Sequence, residues 1–394
     1  MERLAAEFLY TLDRPGPLRN GFIEYDSDGT VTSTGECDPS KEKVFFKGAL
    51  VPGFVNSHCH VELSYMWKLF RKGTGMAGFI DQINALRDTK PLEEKVDDIR
   101  HWMDLMWRRG VSAMADISNC DDSFAVKMDS PMYTRTFLEV FGTEPEDCGS
   151  VMEGVLKLKS KAADSGLDAT PTPHACYTMS PELLTAVSRE GLKTGFLSFH
   201  SEETPEEEEM IRRGSGPMWE NRKAAGMSVP PVTGQSSLMY FLDRLKEAHP
   251  APYDENILLV HEVCMDQQGI DAVKKVMNHP FVALCPCSNI FIHNALPPVE
   301  LMRDNGLKLT VGTDSLSSND DLDMVRELYC LQSHFKDIEL DELLRWACLN
   351  GAEFLGKEKE LGSFAIGRKP GIVLLENIAP DGSLTEKSSS RRII

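Results

Sequence analysis

ALVPGFVNSHCH, residues 49–60, couples an apolar, β-rich run to two histidines spaced by one residue. In an extended strand, residues i and i+2 point to the same side, so His58 and His60 at its end can face one object together. Seven more apolar runs follow: VSAMADIS (111–118), MYTRTFLEV (132–140), LDATPTPH (167–174), TGFLSFH (194–200), NILLVH (256–261), FVALCP (281–286) and LKLTVGTD (307–314). Stretches of helical period lie between them, among them EKVDDIRHWMDLMWRRG, GVLKLKSKAADSG, PELLTAVSRE, SLMYFLDRLKEAH and DMVRELYCLQSHF. Eight βα units in series predict an α/β fold of the (β/α)8, TIM-type barrel class. The competitor, a doubly wound sheet, would carry a glycine-rich phosphate loop after a strand. GTGMAG (73–78) matches that spacing but follows the polar, basic WKLFRK, so it reads as a loop.

Outside the eight units the pattern is short strands. GFIEYDSDGTVTSTGE has the look of a hairpin turning at Asp28-Gly29. DELLRWACLNGAEFLG reads as a helix, and GRKPGIVLLENIAP and SSSRRII read as strands. The two ends are therefore expected to pair into a small β-sandwich subdomain (1–49 with 361–394) flanking a hydrolase barrel over 50–360. Residues 214–236, with their Gly and Pro content, predict a long loop on the side where barrel loops bind substrate. The run Glu206–Glu209 reads as a solvated helix start.

A net charge of -19 and a pI near 5.0 argue against nucleic acid or anionic membrane as a partner, since both need a basic face. The N-terminus carries Glu2 and Arg3 and lacks the pattern of a signal peptide. No uncharged apolar stretch reaches the roughly 18 residues of a membrane span. Ten cysteines without a CxxC motif read as reduced thiols of a cytoplasmic protein, and the single CxC at Cys285 and Cys287 is a weak metal signal.

The chemically capable residues stand at the C-terminal ends of the expected strands, where barrel active sites are built. His58 and His60 close the first, His174 the fourth, His200 the fifth, His261 the sixth and Asp314 the eighth. Half of the 10 histidines thus fall at strand ends. Taken singly, each reads equally as a hydrogen-bonded structural residue, and Asp314 as a cap before Ser315. In combination they predict a site for one divalent metal, Zn²⁺ first and Fe²⁺ second, because neutral imidazoles with a carboxylate suit both. Such a metal would make water acidic enough to supply hydroxide as nucleophile. Glu203, three residues beyond His200, is the expected general acid/base. His293, after the seventh strand, is a candidate substrate contact. His101, His249, His279 and His334 read as surface or core histidines.

These residues resemble the amidohydrolase superfamily, and within it the cytosine/guanine/adenosylhomocysteine deaminase-like branch. The motifs that carry the resemblance are LVPGFVNSHCH, PHACYTMSPELL, FHSEET, LLVHEV, CPCSNIFIHNALPP and LTVGTDSLSSNDDLDMVREL, which span about residues 50 to 327. The resemblance implies one metal on His58, His60, His200 and Asp314, with Glu203 moving protons and His261 orienting the nucleophile or polarising substrate. His174 would contact substrate, with Ser288 and Asn289 near the rim. Two-metal relatives carry a bridging lysine on strand four, and LDATPTPH has none. HCHVELSYMWKLFRKGTGMAGFIDQI also resembles the aminodeoxyfutalosine deaminase group. Glu262 departs from the branch pattern, which has an apolar residue or Cys after the sixth-strand histidine.

The function expected is hydrolytic deamination of an aminated heterocycle, such as a purine or a nucleoside-like small molecule. Hydrolysis of another C–N or a C–Cl bond is the alternative, and a non-catalytic interaction barrel the remote one. Association through outer helices would allow a homodimer.

Overall fold

The computed structural model describes residues 2–87 and 89–394. The chain opens with β1 (Glu2–Leu9), β2 (Leu18–Tyr25), β3 (Val31–Glu36) and β4 (Phe45–Pro52). The expected hairpin is β2–β3, paired antiparallel. Gly29 at its turn has φ +85°, where a side chain would be strained, and Asp26 Oδ1 accepts the Asp28 and Thr30 amides.

The eight expected strands are all present. β5 (Phe54–Cys59), β6 (Val111–Ser118), β7 (Tyr133–Val140) and β8 (Asp168–Pro173) form one parallel sheet in chain order. β9 (Phe196–Ser201), β10 (Asn256–His261), β11 (Pro280–Leu284) and β12 (Lys308–Val311) form a second. The sheets meet at both edges. At one, Ala175 bridges His200 and the His200 amide donates to His174 O at 2.9 Å. At the other, Cys59 bridges Asp314, and the Thr313 and Asp314 amides both donate to His58 O at 3.0 Å. Asn56 and Thr313 lock that edge with reciprocal bonds of 2.8 and 3.1 Å.

The amphipathic stretches become helices whose apolar faces are buried, including Leu92–Arg108, Cys148–Asp164, Pro181–Leu192, Ser237–Ala248 and Met324–His334. GTGMAG, expected as a loop, runs from a loop into the start of the helix Gly75–Leu86. The 214–236 segment is not a plain loop either. Gly214 in the left-handed region ends one helix and Pro217 opens another, Pro217–Ala224.

β13 (Ile372–Glu376) and β14 (Ser389–Arg392) return to the N-terminal strands in the order β14-β13-β4-β1-β2-β3. Both chain ends do meet. Among the described residues, however, they build one six-stranded sheet rather than two facing ones. Its strand β4 runs to Pro52, past the expected boundary at residue 49, because it pairs on both sides, parallel to β1 and antiparallel to β13.

One glycine sets how closely the edge strands approach. A Cβ on Gly312, one residue past β12, would lie 2.7 Å from both Cβ and O of His58 and 2.9 Å from its amide nitrogen. Those atoms are mostly backbone and cannot swing away. Gly312→Ala is expected to cost about 1–3 kcal/mol by overpacking and to displace His58, read as a lower urea midpoint with weaker metal retention.

Candidate metal centre and cavity

Three strand ends deliver the four expected ligands to one point. His58 and His60 come from β5 and the turn after it, His200 from β9, and Asp314 from the turn after β12. Asp314 has φ +56°, Glu202 +48°, His261 +77° and Glu262 +51°. Left-handed backbone at non-glycine residues is costly and collects at functional sites, where the surroundings enforce it. Here it turns the chain inward where β9, β10 and β12 end.

The donor atoms converge. His58 Nε2 lies 3.2 Å from both His60 Nε2 and His200 Nε2, and Asp314 Oδ1 lies 3.7 Å from His58 Nε2 and 3.5 Å from His60 Nε2. Donors placed tetrahedrally at the zinc–imidazole distance of about 2.0–2.1 Å are separated by about 3.4 Å. The four-donor set thus has the size of a tetrahedral metal shell. All four residues are buried, where facing lone pairs without a cation would repel. Burial, and then neighbouring imidazoles, push His58 and His200 well below the usual histidine range, so both are neutral, the form that ligates. His200 Nδ1 donates to His174 O at 3.2 Å, which leaves Nε2 free for a metal. For Asp314, burial alone would raise the pKa; His60, His261 and the Ser288 hydroxyl outweigh it and hold the carboxylate below its ordinary range. The residues fit one divalent cation.

Beside the ligands, His261 Nε2 stands 3.5 Å from Glu203 Oε1. Asn289 Nδ2 donates to His261 Nδ1 at 3.2 Å, which puts the imidazole proton on Nε2, facing Glu203. Burial, then Asp314, Glu207 and Glu139, push Glu203 well above the usual carboxylate range. His174 bonds through Nδ1 to Thr178 Oγ1 at 2.8 Å, and burial lowers its pKa to about 3, so it is neutral.

A cavity of about 620 Å³ opens over this cluster, within the range of small-molecule sites. His60, His174, His200, Glu203, His261 and Asp314 line its floor. Its apolar wall, with Met76, Phe79, Ile83 and Met218, comes from the helices Gly75–Leu86 and Pro217–Ala224, the latter within the 214–236 segment expected on the substrate side.

Ser288 and Asn289 are not rim residues. Both are fully buried in the first turn of the helix Pro286–His293, which starts directly after β11 and points them behind the site. Ser288 donates to Asp314 Oδ2 at 2.6 Å, joined there by Ser318 at 2.8 Å. They hold Asp314 and His261 rather than substrate. His293 also stays out of the cavity lining. Glu262 faces neither cavity nor solvent: it is fully buried beside Ser201, and burial and then Glu202 push its pKa far up. The acidic run Glu206–Glu209 does start a helix, but not all of it is solvated. Glu207 is fully buried, and Glu206 accepts the Ala77 amide at 2.9 Å.

Glu139 is the residue that sequence reading missed. It ends the third expected strand, LEV, as a strand-end carboxylate. Its Oε2 accepts Asn119 Nδ2 at 3.1 Å, while Oε1 lies 3.5 Å from His200 Nδ1 and 4.0 Å from His174 Nε2. The buried Lys127 is bound to Asp116 and Thr136.

The Amidohydrolase family model matches residues 49–393. The chain is 27% identical over 357 residues to a 5-methylthioadenosine/S-adenosylhomocysteine deaminase of Moorella thermoacetica, covering 84% of this chain and 74% of the relative. Helicobacter pylori aminofutalosine deaminase, solved in complex with methylthio-coformycin, superposes with a TM-score of 0.79 at 22% identity, covering 98% of this chain and 93% of that one. An adenosine deaminase of Xanthomonas campestris with bound zinc superposes with a TM-score of 0.74 at 18% identity, over 98% and 86% of the two chains. With the family model spanning both parallel sheets and the C-terminal strands, the chain belongs to the amidohydrolase family.

Proposed function

We infer that this chain is a metal-dependent hydrolytic deaminase of an adenosine-like nucleoside, the amine of a purine-type ring leaving as ammonia. The two parallel sheets, bridged at both edges, are read as halves of one closed eight-stranded barrel. His58, His60, His200 and Asp314 would hold a single divalent cation, zinc by the chemistry of the donor set. When bound, the cation supplies a water acidic enough to attack at neutral pH.

The protein's own groups do the rest. Replacing a ring amine by oxygen consumes one water and releases one ammonia. The nitrogen cannot leave as an amide ion, so a proton must travel from the attacking water to the leaving group. Glu203 is placed for that transfer: its carboxyl is buried, holds its proton more tightly than an exposed glutamate, and shares the cavity floor with the ligands. His261, with its Nε2 proton turned toward Glu203, would orient the nucleophile or polarise the ring. His174 Nε2 and Glu139 Oε1 face one another across 4.0 Å, an acceptor pair suited to donors on substrate. Glu203 beside the four-donor cluster is the observation that carries this reading, and the substrates named for the relatives support the nucleoside class. Ten unpaired cysteines agree with a reducing, cytoplasmic setting. No helix among the described residues is long and apolar enough to cross a membrane.

Metal analysis with an ammonia-release assay over adenosine, 5′-methylthioadenosine and S-adenosylhomocysteine tests it. His58→Ala should lose the metal. Glu203→Gln should keep it and lose about 10²- to 10⁴-fold in kcat. Near-normal turnover by Glu203→Gln would refute the assignment, and stoichiometric metal without ammonia release would move the activity to another C–N or a C–Cl bond.

A further inference from the structure

Among the described residues the Glu203 carboxyl makes no close side-chain hydrogen bond, and its ion partner there, His261, is 3.5 Å away. Its placement must come from the backbone that carries it. That backbone, residues 201–204, leaves β9 through Glu202 at φ +48°, a conformation that needs external support.

The support is a buried hydrogen-bond loop. Thr204 caps the helix Pro205–Arg213, its Oγ1 accepting the Glu207 amide at 3.1 Å. In a capping box, the glutamate at that position reaches back to the amide of the cap residue. Here Glu207 reaches one residue further, and Oε2 accepts the amide of Glu203 at 2.8 Å. Its other oxygen accepts Ser237 Oγ at 2.5 Å, and the same Oγ accepts the Glu202 amide at 3.2 Å. Ser237 comes from a different element, the first residue of the helix Ser237–Ala248. Glu207 and Ser237 are both fully buried, so water does not compete for these bonds. The Glu202 carbonyl is tied as well, accepting the Cys264 amide at 2.9 Å from the chain beyond β10.

We propose that Glu207 and Ser237 are positioning residues for the proton shuttle: they clamp the two successive amides, of Glu202 and Glu203, that set where the Glu203 carboxyl can reach. The Glu207 carboxyl is used on the backbone and on Ser237, which is why a buried glutamate stands in an otherwise surface-like acidic run. This rests on the reading of Glu203 above. The clamp matters in proportion to the precision the transfer needs, since a displacement of about 1 Å can cost about 10²-fold in rate.

Glutamine at position 207 keeps the shape but can offer an oxygen to only one of the two donors. Glu207→Gln and Ser237→Ala should retain fold and metal content, keep KM within about twofold, and lower kcat about 10- to 100-fold. A double-mutant cycle separates positioning from general damage. In a Glu203→Gln background, Glu207→Gln should change the residual rate by less than about twofold, because the clamp acts only through Glu203. Hydrogen exchange of the peptide spanning 202–204 should quicken in both variants. The proposal is overturned if kcat and amide exchange stay at wild-type values in both single variants, or if the losses multiply in the double variant. If Glu207→Gln does not fold, Ser237→Ala decides by the same readouts. If the metal-loaded wild type releases no ammonia from any nucleoside, the deaminase reading fails and amide exchange alone decides the clamp.

Discussion

Everything in this molecule that could do chemistry depends on bringing four electron-rich atoms together out of water. Three imidazole nitrogens and one carboxylate oxygen meet with separations of 3.2–3.7 Å. Such a cluster resists assembly unless a cation is shared, so the scaffold must hold it rigidly from several directions. It does so at the strand edges. The Thr313 and Asp314 amides grip His58 O, the Asn56–Thr313 pair fixes the register, and Gly312 lets the chains touch. On the far side the His200 amide is bound by His174 O. The geometry of the cluster is thus a consequence of how the two parallel sheets are joined, and the tolerance for change at those joints is small.

A second layer governs which form each group takes. Asn289 sets the tautomer of His261, His174 O sets that of His200, and Ser288 and Ser318 tie the outer oxygen of Asp314. Each fixes the proton or lone pair on the group it touches, and Asn289, Ser288 and Ser318 do so from outside the cavity lining. Burial then pushes His58 and His200 down and Glu203 up, so neutral bases and a proton-holding acid sit side by side.

The strands and the convergence of His58, His60, His200 and Asp314 at their ends were legible because strand period and the one-sided placement of polar residues at strand ends are both local rules. An apolar run ending in His-Cys-His, or in Thr-Asp, states its direction and its polar end together. What failed was the reading of side chains beyond the strand ends. Ser288 and Asn289 stand just past a strand, but a helix beginning at Pro286 turns them away from the cavity, whereas His261 is the last residue of its own strand. The run Glu206–Glu209 looked solvated because charge usually is. The T-x-x-E spacing of Thr204 and Glu207 was the available sign that one of those glutamates faces inward. Glu139 was hidden in an apolar strand, since its role depends on β7 lying beside β8, which no local pattern encodes.

The central claim is that three imidazoles and Asp314 surround one metal. X-ray absorption at the metal edge of the as-purified enzyme tests it most directly. The account predicts a first shell of nitrogen and oxygen at about 2.0–2.1 Å, with outer-shell scattering for three histidines and no sulfur. A metal–metal distance near 3.5–4 Å, or a sulfur neighbour at about 2.3 Å, would contradict it.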